Sequence, residues 1–307
     1  MPRQAGLDRV VKGFGLCYVV CMNRRHFLRA GAIGALSLQK FPYRLFASET
    51  KKFASDRITL GPRKIETSRL AMGTGTHGGN KHSNQTRLGL NGLADLFRAA
   101  YDQGITFWDS ADQYGSHPYL NEALKTVPRE KVTILTKSNT LTGEGMKSDI
   151  DRFRRELGTD YIDILLLHKM EDADWNMKLR PAMDVISEAQ VKGIVRSKGV
   201  SCHSLVAMKT AVVEPWVEVD LARINPAQLH MDGTPETIAG VLRQMKQAGK
   251  GVIGMKVLGQ GDLRTKADEC LQFVLSLGSV DCMTIGSENR GEMEDLVRKI
   301  PAASVRA

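Results

Sequence analysis

The sequence predicts an α/β fold, a closed (β/α)8 barrel with a short N-terminal β-hairpin. Two observations carry that prediction. About eight short runs dense in apolar and β-branched residues alternate with amphipathic stretches, the pattern of a parallel sheet covered on its outer face. The 307-residue chain, once a basic leader is set aside, has the length such a barrel uses as one unit.

The leader, residues 1–47, comes first. It holds eight Lys/Arg against one acid, Asp8, so most of the formal charge of +9 sits there. The rest of the chain, 35 basic and 33 acidic residues, has no single-signed field to hold a polyphosphate, which argues against nucleic acid as a partner. From Met22 the leader reads MNRRHFLRAGAIGALSL, with Arg24 and Arg25 followed by Phe27-Leu28 and an apolar run too short to span a bilayer. This resembles a twin-arginine export signal, implying the twin-arginine machinery as a partner and a periplasmic destination; no stable transmembrane span is expected. Twenty-one residues precede Met22, which makes Met22 a candidate true start. Cleavage after Ala47 is open, because Leu45 is poorly suited to its position, and so is a retained basic anchor or, with a non-functional leader, a cytoplasmic protein. Residues 48–307 form the barrel domain.

RITLGPRKIETSRL follows, two apolar runs around the turn signal Gly61-Pro62, and predicts the hairpin. The predicted strands are then LAMGTG (70–75), ITFWDS (105–110), VTILTK (132–137), YIDILLLH (161–168), IVRSKGV (194–200), VDLARIN (219–225), GVIGMKV (251–257) and CMTIG (282–286). The predicted helices lie near 91–103, 117–126, 146–157, 178–191, 204–212, 235–248, 264–277 and 291–299. An open doubly wound sheet is the alternative. Against it, GTGTHGG (73–79) lacks the GxGxxG spacing and is followed by a polar segment, so no Rossmann fingerprint is present. Of the five cysteines, Cys202, Cys270 and Cys282 lie in the body, widely spaced and without a CxxC, and predict small buried residues rather than a disulfide framework or a zinc site.

A barrel gathers its chemistry where strands end. Asp109 ends the second strand and Tyr114 follows in its loop, Lys137 ends the third strand, and His168 ends the fourth. Singly each has a bland reading: a helix cap, a solvated lysine, a structural histidine. Together they give neighbouring strands one ionisable rim. There the Lys137 ammonium would draw the Tyr114 pKa down, Asp109 would orient that lysine, and Tyr114 could give a proton to a developing alkoxide.

FWDSADQYG followed by SHPYLNEALK, then ILTKS, LGTDYIDILLLH, GIVRSKGVSCHS, RINPAQLH and CMTIGSENRGEMEDLV, from about Arg57 to about Arg298, together resemble the aldo/keto reductase family. That resemblance implies a (β/α)8 TIM barrel, a nicotinamide dinucleotide held without a Rossmann motif, and hydride transfer to a small-molecule aldehyde or ketone. It places the catalytic tetrad on Asp109, Tyr114, Lys137 and His168, with Tyr114 the general acid and His168 the donor that orients the carbonyl. It puts Gly73, Thr74 and Gly75 near the nicotinamide and Ser201 on its carboxamide. Lys256, Leu258 and Gly259 would lie over the pyrophosphate, and Ser287, Asn289 and Glu292 near the adenosine.

The sequence departs from the family at Cys202, Leu221 and Met255, where the family has Asn, Gln and a stacking aromatic residue. IGSENR (285–290) also lacks the lysine of members that prefer NADPH, with Arg290 nearby. Family precedent still favours NADP(H) over NAD(H). Two other readings stand beside the reductase: a non-catalytic nucleotide-binding or regulatory barrel of the same family, and a metal-dependent hydrolase barrel, which would call for several His and Asp ligands at strand ends. Specificity would rest on the loops after the strands, where Trp175 offers an apolar wall if KMEDADWNM (169–177) is more than surface.

Overall fold

The computed structural model describes residues 51–305. The leader, with Arg24-Arg25 and the candidate cleavage point, lies outside them. Strands β1 (Arg57–Leu60) and β2 (Ile65–Ser68) pair antiparallel as the predicted hairpin. Eight parallel strands close the barrel in the order β10-β3-β4-β5-β6-β7-β8-β9. They are β3 (Leu70–Gly73), β4 (Phe107–Asp109), β5 (Thr133–Ser138), β6 (Ile162–Met170), β7 (Val195–Cys202), β8 (Val219–Arg223), β9 (Gly251–Met255) and β10 (Cys282–Gly286).

The intervening helices are α1 (Gly89–Asp102), α2 (His117–Leu124), α3 (Gly143–Leu157), α4 (Trp175–Lys178), α5 (Arg180–Val191), α6 (Leu205–Val213), α7 (Pro235–Gln247), α8 (Ala267–Ser276) and α9 (Arg290–Ser304). The helix expected over 178–191 is α5, which starts at Arg180 after the short α4 ends at Lys178. Pro181 sits in the first turn of α5, where its missing N–H costs nothing, so a new helix starts there. Among the described residues no helix is long and apolar enough to cross a membrane.

Alternation along each strand sorts the side chains into two cores. Leu70, Met72, Trp108, Ile134, Leu165, Leu167, Val200 and Ala222 face the helices. Ala71, Phe107, Leu135, Ile164, Leu166, Val219, Leu221, Ile253, Met255 and Cys282 fill the lumen. The hairpin adds Leu60 and Ile65 to this inner cluster. It is fastened at the strands' N-terminal end: Arg63 Nε donates to Glu218 Oε1 over 2.8 Å, Thr133 Oγ1 donates to the Glu66 carbonyl over 2.7 Å, and Ser68 Oγ accepts from the amides of Thr106 and Phe107. The barrel is therefore plugged at that end. Cys202, Cys270 and Cys282 are free and buried.

One buried group in the outer layer is poorly served. Asp220 on β8 is fully buried and neither carboxylate oxygen makes a hydrogen bond of ordinary geometry. Burial raises its pKa from the usual 3.8 to about 7, against the opposing pull of the nearby Cys202 thiol and amide and of Lys250. A raised folded-state pKa favours the protonated fold, so this group's contribution to stability is fullest below about pH 4 and is lost as pH rises through about 7. Wild type is expected to lose a few kcal/mol between pH 4 and pH 8 from this group, since each tenfold difference in proton affinity between folded and unfolded chain is worth about 1.4 kcal/mol. Asp220→Asn should flatten that slope; thermal melts of both proteins across the range check it, and parallel slopes would refute it.

Candidate active site

The same two-residue period that fills the lumen delivers the site. Phe107 faces inward, so Asp109 does; Leu135 places Lys137; Ile164 and Leu166 place His168; and Val219 and Leu221 place Arg223. At the strands' C-terminal ends the inward positions turn polar, and the side chains converge on the mouth of the barrel. A cleft of about 700 Å³ opens there, within the range of small-molecule sites.

Tyr114 comes from the loop after β4. It closes a 3-10 turn, Asp112–Tyr114, that Gly115 terminates in the left-handed region at φ 66°. A Cβ at Gly115 would stand 2.2 Å from the Lys81 carbonyl oxygen, so the turn requires glycine. The Tyr114 hydroxyl lies 3.3 Å from His168 Nε2. Lys137 is fully buried, donates to Asp109 Oδ1 and, over 2.7 Å, to the Ser110 carbonyl, and holds its ammonium 5.0 Å from the Tyr114 ring centroid. Asp109 also accepts from Thr284 Oγ1 at 2.8 Å.

The electrostatics differ from the sequence expectation. Burial, aided by the Asp109 charge, pushes the Tyr114 phenol well above its ordinary pKa of 10 rather than below it. The phenol therefore keeps its proton throughout the neutral range. Burial also lowers the Lys137 pKa, opposed by Asp109. His168 is driven well below the usual imidazole range by burial and then by the charges of Lys137, His203, Lys169 and Lys256, so it stays neutral; Nε2 donates in the tautomer that carries its proton there. Its Nδ1 is buried without a partner.

The expected cofactor residues divide. Gly73, Gly75, Lys256, Leu258, Ser287 and Glu292 line the cleft with Asp109, Tyr114 and His168. Thr74, Ser201, Gly259 and Asn289 lie outside its lining: Thr74 Oγ1 bonds the Asp109 carbonyl and Ser116, Ser201 Oγ accepts the Lys169 amide at 3.0 Å, and Asn289 caps α9 through the Glu292 amide. Of the three departures from the family, Leu221 and Met255 line the cleft while Cys202 packs outward among the helices. Trp175 is buried and donates its indole N–H to the Ala207 carbonyl, so it packs α4 against α6 and forms no substrate wall.

His203, Arg223 and Thr284 also line the cleft and were not singled out in the sequence. Alternation from Val219 and Leu221 was the signal available for Arg223. The one grouping with metal-ligand geometry among the described residues, Asp112, His117 and Glu156, is knit by Arg152, which binds both carboxylates, and by Lys81 on Asp112.

Gly75 sets how closely the tyrosine is held. A Cβ there would stand 2.4 Å from Tyr114 Cζ and 2.8 Å from its hydroxyl oxygen, so Gly75→Ala must displace the ring. A shift of about 1 Å at a reacting group costs on the order of 10²-fold in rate. We expect that loss in kcat with a melting temperature within a few degrees of wild type; undiminished turnover would show that Tyr114 need not sit where it does.

The cleft can be tested for a nicotinamide dinucleotide. Ser287 Oγ is buried at its wall without a partner, Lys256 and Arg264 supply cations along it, and Met255 offers an apolar thioether at the barrel mouth. Size, charge and unpaired donors fit the group.

A model of the aldo/keto reductase family matches residues 69–275. D-threo-aldose 1-dehydrogenase of a Pseudomonas species is 24% identical over 199 residues, which are 54% of this chain and 59% of that protein. NADH-specific methylglyoxal reductase of Escherichia coli is 26% identical over 166 residues, 47% of this chain and 51% of that protein. The chain thus spans little more than half the length of these relatives. The holo form of an aldo-keto reductase from Bacillus halodurans superposes with a TM-score of 0.65 at 15% identity, covering 82% of this chain and 91% of the other. The family model covers most of the barrel's strands, and this chain belongs to the aldo/keto reductase family, a family of oxidoreductases.

Proposed function

We propose that the cleft reduces an aldehyde or ketone to an alcohol with a nicotinamide dinucleotide, Tyr114 acting as general acid. The observation that carries this reading is the Tyr114 hydroxyl 3.3 Å from His168 Nε2 at the cleft floor, a seat for one carbonyl oxygen between two donors. When bound, the dinucleotide supplies the hydride. The chain's part is to hold the oxygen and supply the proton: neutral His168 donates from Nε2, and Tyr114 gives up its proton as negative charge grows on the oxygen. Lys137 stabilises the phenolate that results, and Asp109 keeps the ammonium in place. Burial that raises the phenol's pKa keeps the acid loaded until the transfer itself.

Family precedent places the adenosine beside α9. There the cleft is lined by Glu288, Glu292 and Asp295, the last paired with Arg298 and Lys299, while Arg290 is absent from the lining and pairs with Glu294 over 2.7 Å. Carboxylates accept from ribose hydroxyls and repel a 2′-phosphate. This wall favours NAD(H), against the expectation from family precedent. We expect NADH to be consumed with aldehydes at a kcat/KM at least tenfold that of NADPH, read from nicotinamide absorbance. The opposite order would return the preference to NADP(H), and tight binding without turnover on any carbonyl would favour the non-catalytic reading. The twin-arginine-like leader adds the proposal that the barrel acts in the periplasm, which fractionation of cells producing the full chain would check.

A further inference from the structure

Three cationic side chains and a histidine that burial and the neighbouring cations keep neutral stand along one wall of the cleft, at the ends of adjacent strands. Lys169 follows His168 on β6, His203 follows β7, Arg223 ends β8, and Lys256 follows β9; all four line the cleft. Lys169 and Lys256 adopt positive φ, 63° and 56°, an uncommon conformation for a residue with a side chain. Arg223, which has only donors, uses two of its five N–H groups within the fold, so His203 Nδ1 accepts. One nitrogen donates to the His230 carbonyl at 2.9 Å, the other lies 2.6 Å from His203 Nδ1, and Nε is enclosed without a partner. Among the described residues none of Arg223, Lys169 and Lys256 forms an ion pair. Glu171 and Asp232 are the acids whose charge reaches Arg223, and neither pairs with it.

Burial, then Arg223 and Lys169, lowers Lys256 to a pKa of about 8, so these cations feel one another. Like charges brought together and partly stripped of water are costly unless something neutralises them. The wall begins beside the reacting pair: the His203 ring stands edge-on 6.1 Å from that of His168, which in turn faces Tyr114.

We propose that this wall recognises the acid group of the substrate, so that the cleft takes oxo acids: short carbonyl compounds that carry a carboxylate. The carbonyl oxygen sits between Tyr114 and His168, and the carboxylate lies on Arg223, with Lys169 adding charge from the rim and His203 fixing the guanidinium. The proposal rests on the carbonyl-reduction reading. Anionic oxygens also occur in a dinucleotide's diphosphate. Arg223 and His203 belong to the strand ends next to His168, and that position favours the substrate.

The test pairs 4-oxobutanoate with its methyl ester, using the full chain, its preferred nucleotide, and Arg223→Gln, Arg223→Lys and Lys169→Gln variants. Succinate and succinamide serve as non-reducible probes in calorimetry. Wild type should prefer the acid by at least roughly tenfold in kcat/KM, mostly through KM. In Arg223→Gln that preference should fall to within about threefold of unity, and Arg223→Lys should restore part of it. Succinate should bind wild type and weaken at least about tenfold in Arg223→Gln.

Equal use of acid and ester by wild type, or equal loss of both in the variant, overturns the proposal while leaving carbonyl reduction standing. Weakened nucleotide binding in Arg223→Gln with the acid preference intact also overturns it, by assigning the wall to the diphosphate. Arg223-dependent succinate binding without reduction of either compound supports the anion site and removes the reduction reading instead.

Discussion

Replacing Tyr114 by phenylalanine is expected to lower kcat for carbonyl reduction by about 10²–10⁴-fold, the usual worth of a positioned general acid, with nucleotide affinity within a few-fold of wild type. Phenylalanine keeps the ring that packs on Gly75 and Gly78 and removes only the hydroxyl. No neighbour can replace it. Lys137 is engaged by Asp109 and the Ser110 carbonyl, and neutral His168 has a proton to share in a hydrogen bond but little tendency to lose it. Single-turnover measurement of nicotinamide oxidation would separate the chemical step from product release. A variant within tenfold of wild type would mean that solvent supplies the proton, and the assignment of Tyr114 would fall.

The second large effect concerns the ion pair beneath that tyrosine. Lys137 and Asp109 have side chains 1% and 7% exposed, so Lys137→Met leaves a carboxylate buried with Thr284 as its remaining side-chain donor. Breaking a buried pair from one side costs about 3–5 kcal/mol, whereas replacing both partners is often close to neutral. We expect Lys137→Met to melt well below wild type and to lose activity. The double variant Asp109→Asn/Lys137→Met should recover most of the melting temperature and none of the activity. Denaturant unfolding and initial rates on the same preparations give both readings. Recovery of activity in the double variant would show that the pair serves only the fold and that the phenolate needs no ammonium.

Much of this was legible in the sequence because its signals are local. Runs such as YIDILLLH and VTILTK are apolar on both faces, as strands between a lumen and a helix layer must be, and their polar last residues mark the rim. The Gly-Pro turn between two short runs was enough for the hairpin. What stayed hidden depends on contacts between distant segments. Ser201 and Thr74 have the polarity of ligand residues, and the bonds their hydroxyls make to the Lys169 amide and the Asp109 carbonyl could not be read from the sequence. Trp175 follows a strand end as a substrate-wall residue would, but α6 supplies the carbonyl that draws it inward. The direction in which the tyrosine's pKa moves is hidden for the same reason, since it turns on how deeply the ring is buried and on the Asp109 charge beside it.

The side chains that fill the lumen, covered from below by the hairpin, make the barrel a blind well. Whatever reaches Tyr114 must arrive, and whatever forms there must leave, through the one rim. Traffic in both directions then competes for the same opening. A bulky substitution in the rim loops, at Gln260 or Glu171 for example, would throttle entry and exit together, slowing turnover without touching the chemistry.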